Sequence, residues 1–212
     1  MIHHVVAEGI NEDVIILLHG TGGNENDLLT LSNYIAKDAT KIGIRGRILE
    51  SGMPRYFKRL SPGVFDIENL IEETHWLKQT IDTLLDQYEL KNKHLHVLGY
   101  SNGANIASSL NFYYPELFKT SLLFHPMMPF ETFDYPSLKR QNIFIAAGKN
   151  DPIVPHEQTI ELATIYQKYG AYVDVFWSYS GHQITQASIL EAHQFFEKIN
   201  PSTLKKDTSF KK

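Results

Sequence analysis

His94-Leu95-His96-Val97-Leu98-Gly99-Tyr100-Ser101-Asn102-Gly103-Ala104 begins as a strand and leaves as a helix. Leu95, Val97 and Leu98 carry the apolar content of a buried strand, and Ala104 to Tyr113 has helical spacing. Between them lies Gly99-Tyr100-Ser101-Asn102-Gly103, a G-x-S-x-G pattern at a strand–turn–helix junction. A turn this sharp forces the serine backbone into a strained conformation and projects its hydroxyl from the sheet edge. A β-carbon at either glycine would crowd the approach of strand to helix.

Outward from this junction, strand-like and helix-like segments alternate, which predicts an α/β protein with a single open, mostly parallel sheet and helices on both faces. Val14 to Leu18 is a continuous apolar run, as in a strand covered on both sides. Further strands are expected at Gly46–Leu49, Leu95–Leu98, Thr120–Phe124, Asn142–Ala147 and Tyr172–Trp177. Helices are expected at Asp27–Lys37, with Asn24 or Asn26 as cap, and at Ile67–Tyr88, Ala104–Tyr113, Pro155–Tyr169 and Gln183–Ile199. Residues 1–200 then make one domain, and 201–212, with Lys205, Lys206, Lys211 and Lys212, a polar, disordered tail.

Composition narrows the classes. The 212-residue chain is 42% hydrophobic, enough for one sizeable core. No apolar run approaches a membrane span, and Met1-Ile2-His3-His4 lacks the basic and apolar regions of a secretory signal. A net charge of −4 with scattered basic residues argues against nucleic acid as a partner. The absence of cysteine excludes disulfides, thiolate metal sites and a cysteine nucleophile, and fits a cytoplasmic location.

A serine hydroxyl becomes a useful nucleophile only beside a base, which in turn needs a group to fix its tautomer. Asp151, in Gly148-Lys149-Asn150-Asp151-Pro152, leaves the strand that ends at Ala147. His182, in Ser180-Gly181-His182-Gln183, lies between the last strand and the last helix. The order Ser101, Asp151, His182 is the one expected for an elbow of this kind. An Asp before proline is otherwise a turn former, and a histidine at a helix start a cap. Other histidines fit less well: His193 lies inside the last helix and His156 follows Pro155 at a helix start. His125 could line a pocket but precedes Asp151. His94 and His96 share a strand face with no third ligand in view, so no metal is expected.

His19-Gly20-Thr21-Gly22-Gly23 follows the first buried strand, so the backbone N–H groups of Thr21 and Asn102 are the expected oxyanion donors. Without G-x-x-x-x-G-K-[ST] or G-x-G-x-x-G, the glycine cluster does not read as a phosphate cradle, and no cofactor is expected. Residues 51–65 and 125–141 follow strands and should overhang the site. Met53, Tyr56, Phe57, Met127 and Phe130 are the expected substrate wall, with little lid; the alternative is that they plug the top of the core.

Taken together, LHGTGGNENDLL, GYSNGAN, GKNDPIVP and SGHQI resemble the α/β-hydrolase superfamily, within it the small carboxylesterase, phospholipase and acyl-protein thioesterase branch. With SGMPRYFKRLSPGVFD, the chain is most similar to bacterial carboxylesterase-like members associated with hydroquinone or quinone stress. The resemblance implies Ser101, Asp151 and His182 as triad and Thr21 and Asn102 as oxyanion donors. Acyl-protein thioesterases usually carry Gln after the nucleophile and a further Gly beyond the elbow; Asn102 and Ala104 stand here, which weakens a depalmitoylating role. The expected activity is a serine esterase on small to medium acyl esters, working as a monomer or homodimer on a small-molecule ester. A thioesterase or lysophospholipase with the same triad, and a non-catalytic binding protein on this scaffold, are the alternatives.

Overall fold

In a computed structural model, which describes residues 2–201, seven strands form one sheet with order β1-β3-β2-β8-β9-β10-β11. The strands of this sheet are β1 (His4–Ala7), β2 (Asp13–Leu18), β3 (Thr40–Ile44), β8 (His94–Tyr100), β9 (Thr120–Phe124), β10 (Asn142–Gly148) and β11 (Tyr172–Ser178). Only the edge strand β1 runs antiparallel, against β3. All other pairings are parallel, so the loops after β2, β8, β9, β10 and β11 leave the same edge of the sheet.

Alternate residues of each central strand feed two cores, as the period-two geometry of a strand requires. Ile16, Leu18, Val97, Leu123 and Ile145 face a layer supplied by α2 (Ile67–Gln87), α3 (Asn102–Tyr113) and α4 (His156–Lys168). Ile15, Leu17, Leu98, Leu122 and Phe144 face α1 (Leu29–Ile35) and α5 (Gln186–Ile199). The expected α/β-hydrolase architecture, helices on both faces of a mostly parallel sheet, is what forms.

Several boundaries differ for identifiable reasons. The strand beside β2 is Thr40–Ile44 rather than Gly46–Leu49. Lys41 and Gly43 hide it in the sequence. Lys41 is buried, its stem packed and its Nζ donating to Lys37 O at 2.7 Å. Gly43 leaves room for the Glu25 carbonyl. The segment 48–65 instead forms two small ribbons, β4 (Ile48–Glu50) with β5 (Met53–Arg55) and β6 (Arg59–Ser61) with β7 (Val64–Phe65). Helix α1 starts at Leu29, because Asn24 and Asp27 bond to each other and Asn24 Oδ1 takes the Asn26 N–H, folding a turn rather than a cap. Helix α5 begins at Gln186, behind a capping box built by Thr185 and Ser188. Of the expected tail, 202–212 lie outside the described residues.

Candidate active site

Ser101 is held between β8 and α3 at φ 51°, ψ −114°, a strained conformation for a residue with a β-carbon. Its N–H donates to Phe124 O at 2.8 Å and its carbonyl accepts the Asn105 N–H at 2.9 Å. The flanking glycines are sterically required. A β-carbon on Gly99 would sit 2.6 Å from Gly103 O, and one on Gly103 would sit 2.0 Å from Leu18 O.

Asp151 follows β10, where a β-carbon on Gly148 would meet Gly181 O at 2.3 Å, so this glycine lets the Asp151 and His182 loops pack together. Asp151 Oδ1 accepts the N–H groups of Ile153 (2.8 Å) and Val154 (3.0 Å). Its Oδ2 accepts from His182 Nδ1 at 2.7 Å. Burial works to raise the Asp151 pKa, but the two backbone donors and the His182 ring outweigh it and hold the carboxyl below its ordinary 3.8. With Nδ1–H committed to the carboxylate, His182 Nε2 is the acceptor facing Ser101 Oγ at 2.8 Å. Three residues from three loops thus make one chain of hydrogen bonds.

The loop after β2 lies beside it. His19, fully buried, donates from Nδ1 to Gly20 O at 2.6 Å and accepts the Gly46 N–H at Nε2. Burial lowers its pKa, which keeps this donor–acceptor pattern neutral. A trans peptide points N–H and C=O opposite ways, so tying down Gly20 O turns the Thr21 N–H away from the His19 ring. Among the described residues, neither the Thr21 nor the Asn102 backbone N–H has a protein acceptor.

The five expected wall residues do not share a wall. Tyr56 and Phe57 are fully buried core side chains. Tyr56 accepts the His19 N–H and donates to Ile44 O, while its own N–H donates to Asn102 Oδ1 at 2.7 Å. The alternative reading, a plug at the top of the core, holds for both, because packing takes the rings and strand-end backbone groups take the hydroxyl. Met53 is exposed beside Gly22. Met127 and Phe130 line a separate groove of about 470 Å³ with Val64, Phe65 and Ile67. The 51–65 and 125–141 segments therefore meet in that groove through Val64, Phe65, Met127 and Phe130, whereas Met53, Tyr56 and Phe57 lie elsewhere.

Sequence reading passed over three features. Tyr100, inside the elbow motif, donates its hydroxyl to His182 O at 2.6 Å and so anchors the histidine loop. A cleft of about 440 Å³ joins Thr21, Gly22, Leu28, Leu31, Tyr100 and Ile184. His125 touches Asp151, a contact with no signal in sequence spacing. Elsewhere, Asp13 Oδ1 stands 3.2 Å from His96 Nε2 and 3.4 Å from His94 Nδ1. The ligand-type atoms of His125, Asp151 and His182 also lie within 4.8 Å of one another, but hydrogen bonds among them already engage those atoms.

A serine–imidazole–carboxylate array at the carboxyl edge of this sheet, on a strained elbow, defines the class: an α/β-hydrolase. A model of the dienelactone hydrolase family matches residues 64–200, and the chain belongs to that family. It is 43% identical over 194 residues to MhqD of Bacillus subtilis (strain 168), named as a hydrolase, covering 92% of this chain and 97% of that one. A Bacillus cereus carboxylesterase structure matches at 40% identity with a TM-score of 0.91, over 94% of this chain and 95% of the other. A Mesorhizobium loti carboxylesterase matches at 30% identity and a TM-score of 0.84, over 89% and 90%. The chain is a carboxylesterase-like hydrolase, as its motifs led one to expect; dienelactone hydrolase is a family name they had not supplied.

Proposed function

We propose that the chain hydrolyses small to medium acyl esters through an acyl-enzyme on Ser101. The reading is carried by the unbroken run from Ser101 Oγ through His182 to Asp151 Oδ2, at 2.8 and 2.7 Å. His182 Nε2 takes the Ser101 proton as Oγ attacks the ester carbonyl carbon. The oxyanion that forms is held by the Thr21 and Asn102 N–H groups, each such donor contributing about 3 kcal/mol to the transition state. As the carbon–oxygen bond breaks, the alcohol leaves with the proton from His182. A water molecule, deprotonated by the same nitrogen, then releases the acid and restores Ser101.

The cleft of Leu28, Leu31, Tyr100 and Ile184 adjoins the oxyanion loop and suits an apolar arm of the substrate. The Met127 and Phe130 groove, joined to α3 where Asn105 Oδ1 accepts the Met127 N–H, suits the other. Among the described residues no helix is long and apolar enough to cross a membrane. A cysteine-free chain fits work in the reducing cytoplasm on a small-molecule ester.

Ser101→Ala should lower p-nitrophenyl ester turnover by about 10⁴- to 10⁶-fold and abolish fluorophosphonate labelling. Near-normal turnover by that variant would overturn the mechanism. Failure of the folded wild-type chain to label would favour a binding role on this scaffold. Matched series of oxygen esters and thioesters of increasing chain length separate the esterase from a thioesterase or lysophospholipase.

A further inference from the structure

His125 is buried and sits just after β9 with φ 54°, a positive value uncommon for a residue with a β-carbon. Its ring meets two acceptors. Nδ1 lies 2.9 Å from Asp151 Oδ2, and Nε2 lies 3.1 Å from Gln183 O. Oδ2 is the same oxygen that takes the Nδ1–H of His182, and Gln183 is the residue after His182. Its partner Oδ1 is already saturated by two backbone N–H groups. The carboxylate proposed to orient the catalytic base therefore divides one oxygen between two imidazoles.

The groups facing His125 are few. Asp151 comes from the loop after β10, and His182 and the Gln183 carbonyl from the loop after β11. Tyr100 comes from the end of β8, its ring 6.1 Å from that of His125. The rings of His125 and His182 are 5.0 Å apart. Burial pulls the His125 pKa below the ordinary 6.5, opposed by its hydrogen bond to Asp151, with His182 adding to the lowering. A single proton on the neutral ring belongs on Nδ1, toward the charged acceptor.

We infer that His125 is a positioning residue of the active site, competing with His182 for Asp151 Oδ2 and thereby setting how strongly the catalytic base holds its proton. The inference rests on the triad reading of Ser101, Asp151 and His182. A donor spent on Oδ2 disperses negative charge that would otherwise favour the His182 imidazolium. Removing that donor leaves the carboxylate freer to stabilise a protonated His182. The acid limb of kcat/KM then moves to higher pH.

The two ring positions can be probed separately by substitution, since an Asn amide nitrogen overlays Nδ1 and a Gln amide nitrogen overlays Nε2. His125→Gln, which loses the Asp151 donor, should raise the acid limb by roughly 0.5 to 1 pH unit with p-nitrophenyl acetate. Its kcat should fall by up to about 100-fold, the scale of a misplaced catalytic group, with KM held within about twofold. His125→Asn, which keeps that donor, should leave the limb nearer the wild-type position. An unmoved limb in His125→Gln, or a limb that moves as far in His125→Asn, overturns the inference. If His125→Gln does not fold, ¹⁵N-histidine spectra of the wild-type chain decide: Nδ1 of His125 protonated supports the inference, unprotonated overturns it. Ser101→Ala in the same panel keeps the two failures apart. Retained turnover there removes the triad reading, whereas its loss with an unmoved His125→Gln profile removes only this inference.

Discussion

Tyr100 stands next to the proposed nucleophile in sequence, yet its side chain bonds to the residue proposed as the base. Its hydroxyl donates to the His182 carbonyl, and its ring lies against the imidazole with centroids 5.7 Å apart. Burial, with the Asp151 charge adding to it, raises its pKa, so the hydroxyl stays a donor across the working range. Tyr100→Phe keeps the ring and deletes the bond. The loss of about 1–2 kcal/mol in loop positioning should lower kcat by roughly 5- to 30-fold while KM changes little. Steady-state kinetics against wild type checks this; a rise in KM with kcat unchanged would place Tyr100 in substrate binding instead. Tyr56 shows the opposite economy: an aromatic residue that sequence reading sent to the pocket serves as a buried clamp. Its hydroxyl links Ile44 and His19, and its N–H reaches the Asn102 side chain beside Ser101.

At the scale of elements, the elbow depends on how closely α3 can approach β2. Gly103 lies where any side chain would press into the Leu18 and His19 carbonyls, at 2.0 and 2.6 Å from an added β-carbon. Backbone cannot swing aside as a flexible side chain can. Gly103→Ala should destabilise the fold by about 1–3 kcal/mol or more, as overpacking does. It should also displace the backbone leading to Thr21 and so cost activity in the protein that still folds. Urea unfolding together with turnover per labelled site tests both parts. Unchanged values for both would mean that α3 can retreat without harm. The strand that sequence reading misplaced belongs to this scale too. Thr40–Ile44 carries a lysine and a glycine, and its strand identity comes from parallel pairing with β2, which no local pattern records.

For the molecule as a whole, buried imidazoles couple stability to pH. His19, His96 and His125 all have folded pKa values below the ordinary 6.5, with burial the largest cause in each. The unfolded chain therefore takes up protons near that value that the folded chain refuses. Stability should fall as pH drops below about 6.5 and keep falling until the folded histidines protonate. Asp13 and Asp151 act lower. Burial raises them, but their hydrogen bonds and charged partners win and hold both below 3.8, so their contribution is present above that value and lost as pH falls through their folded values. Urea midpoints should decline between about pH 7.5 and about pH 5, then more steeply below about pH 4. A level midpoint over the first interval would contradict the histidine assignment.

Sequence alone determined the alternation of strands and helices, the elbow at Ser101, and the order in which Asp151 and His182 follow it. These are local signals: hydrophobic period, glycine spacing, and polar residues just beyond strand ends. The parallel sheet then brings those ends to one edge, which is why motifs so far apart in the chain could be read as one site. Tertiary structure decided the rest. It buried Tyr56 and Phe57, made a strand of Thr40–Ile44, left only Met127 and Phe130 of the expected wall in a groove and set His125 on the carboxylate of Asp151. Each of these depends on which backbone lies within a few ångströms across the sheet edge, a relation between distant segments that residue type and local spacing do not encode.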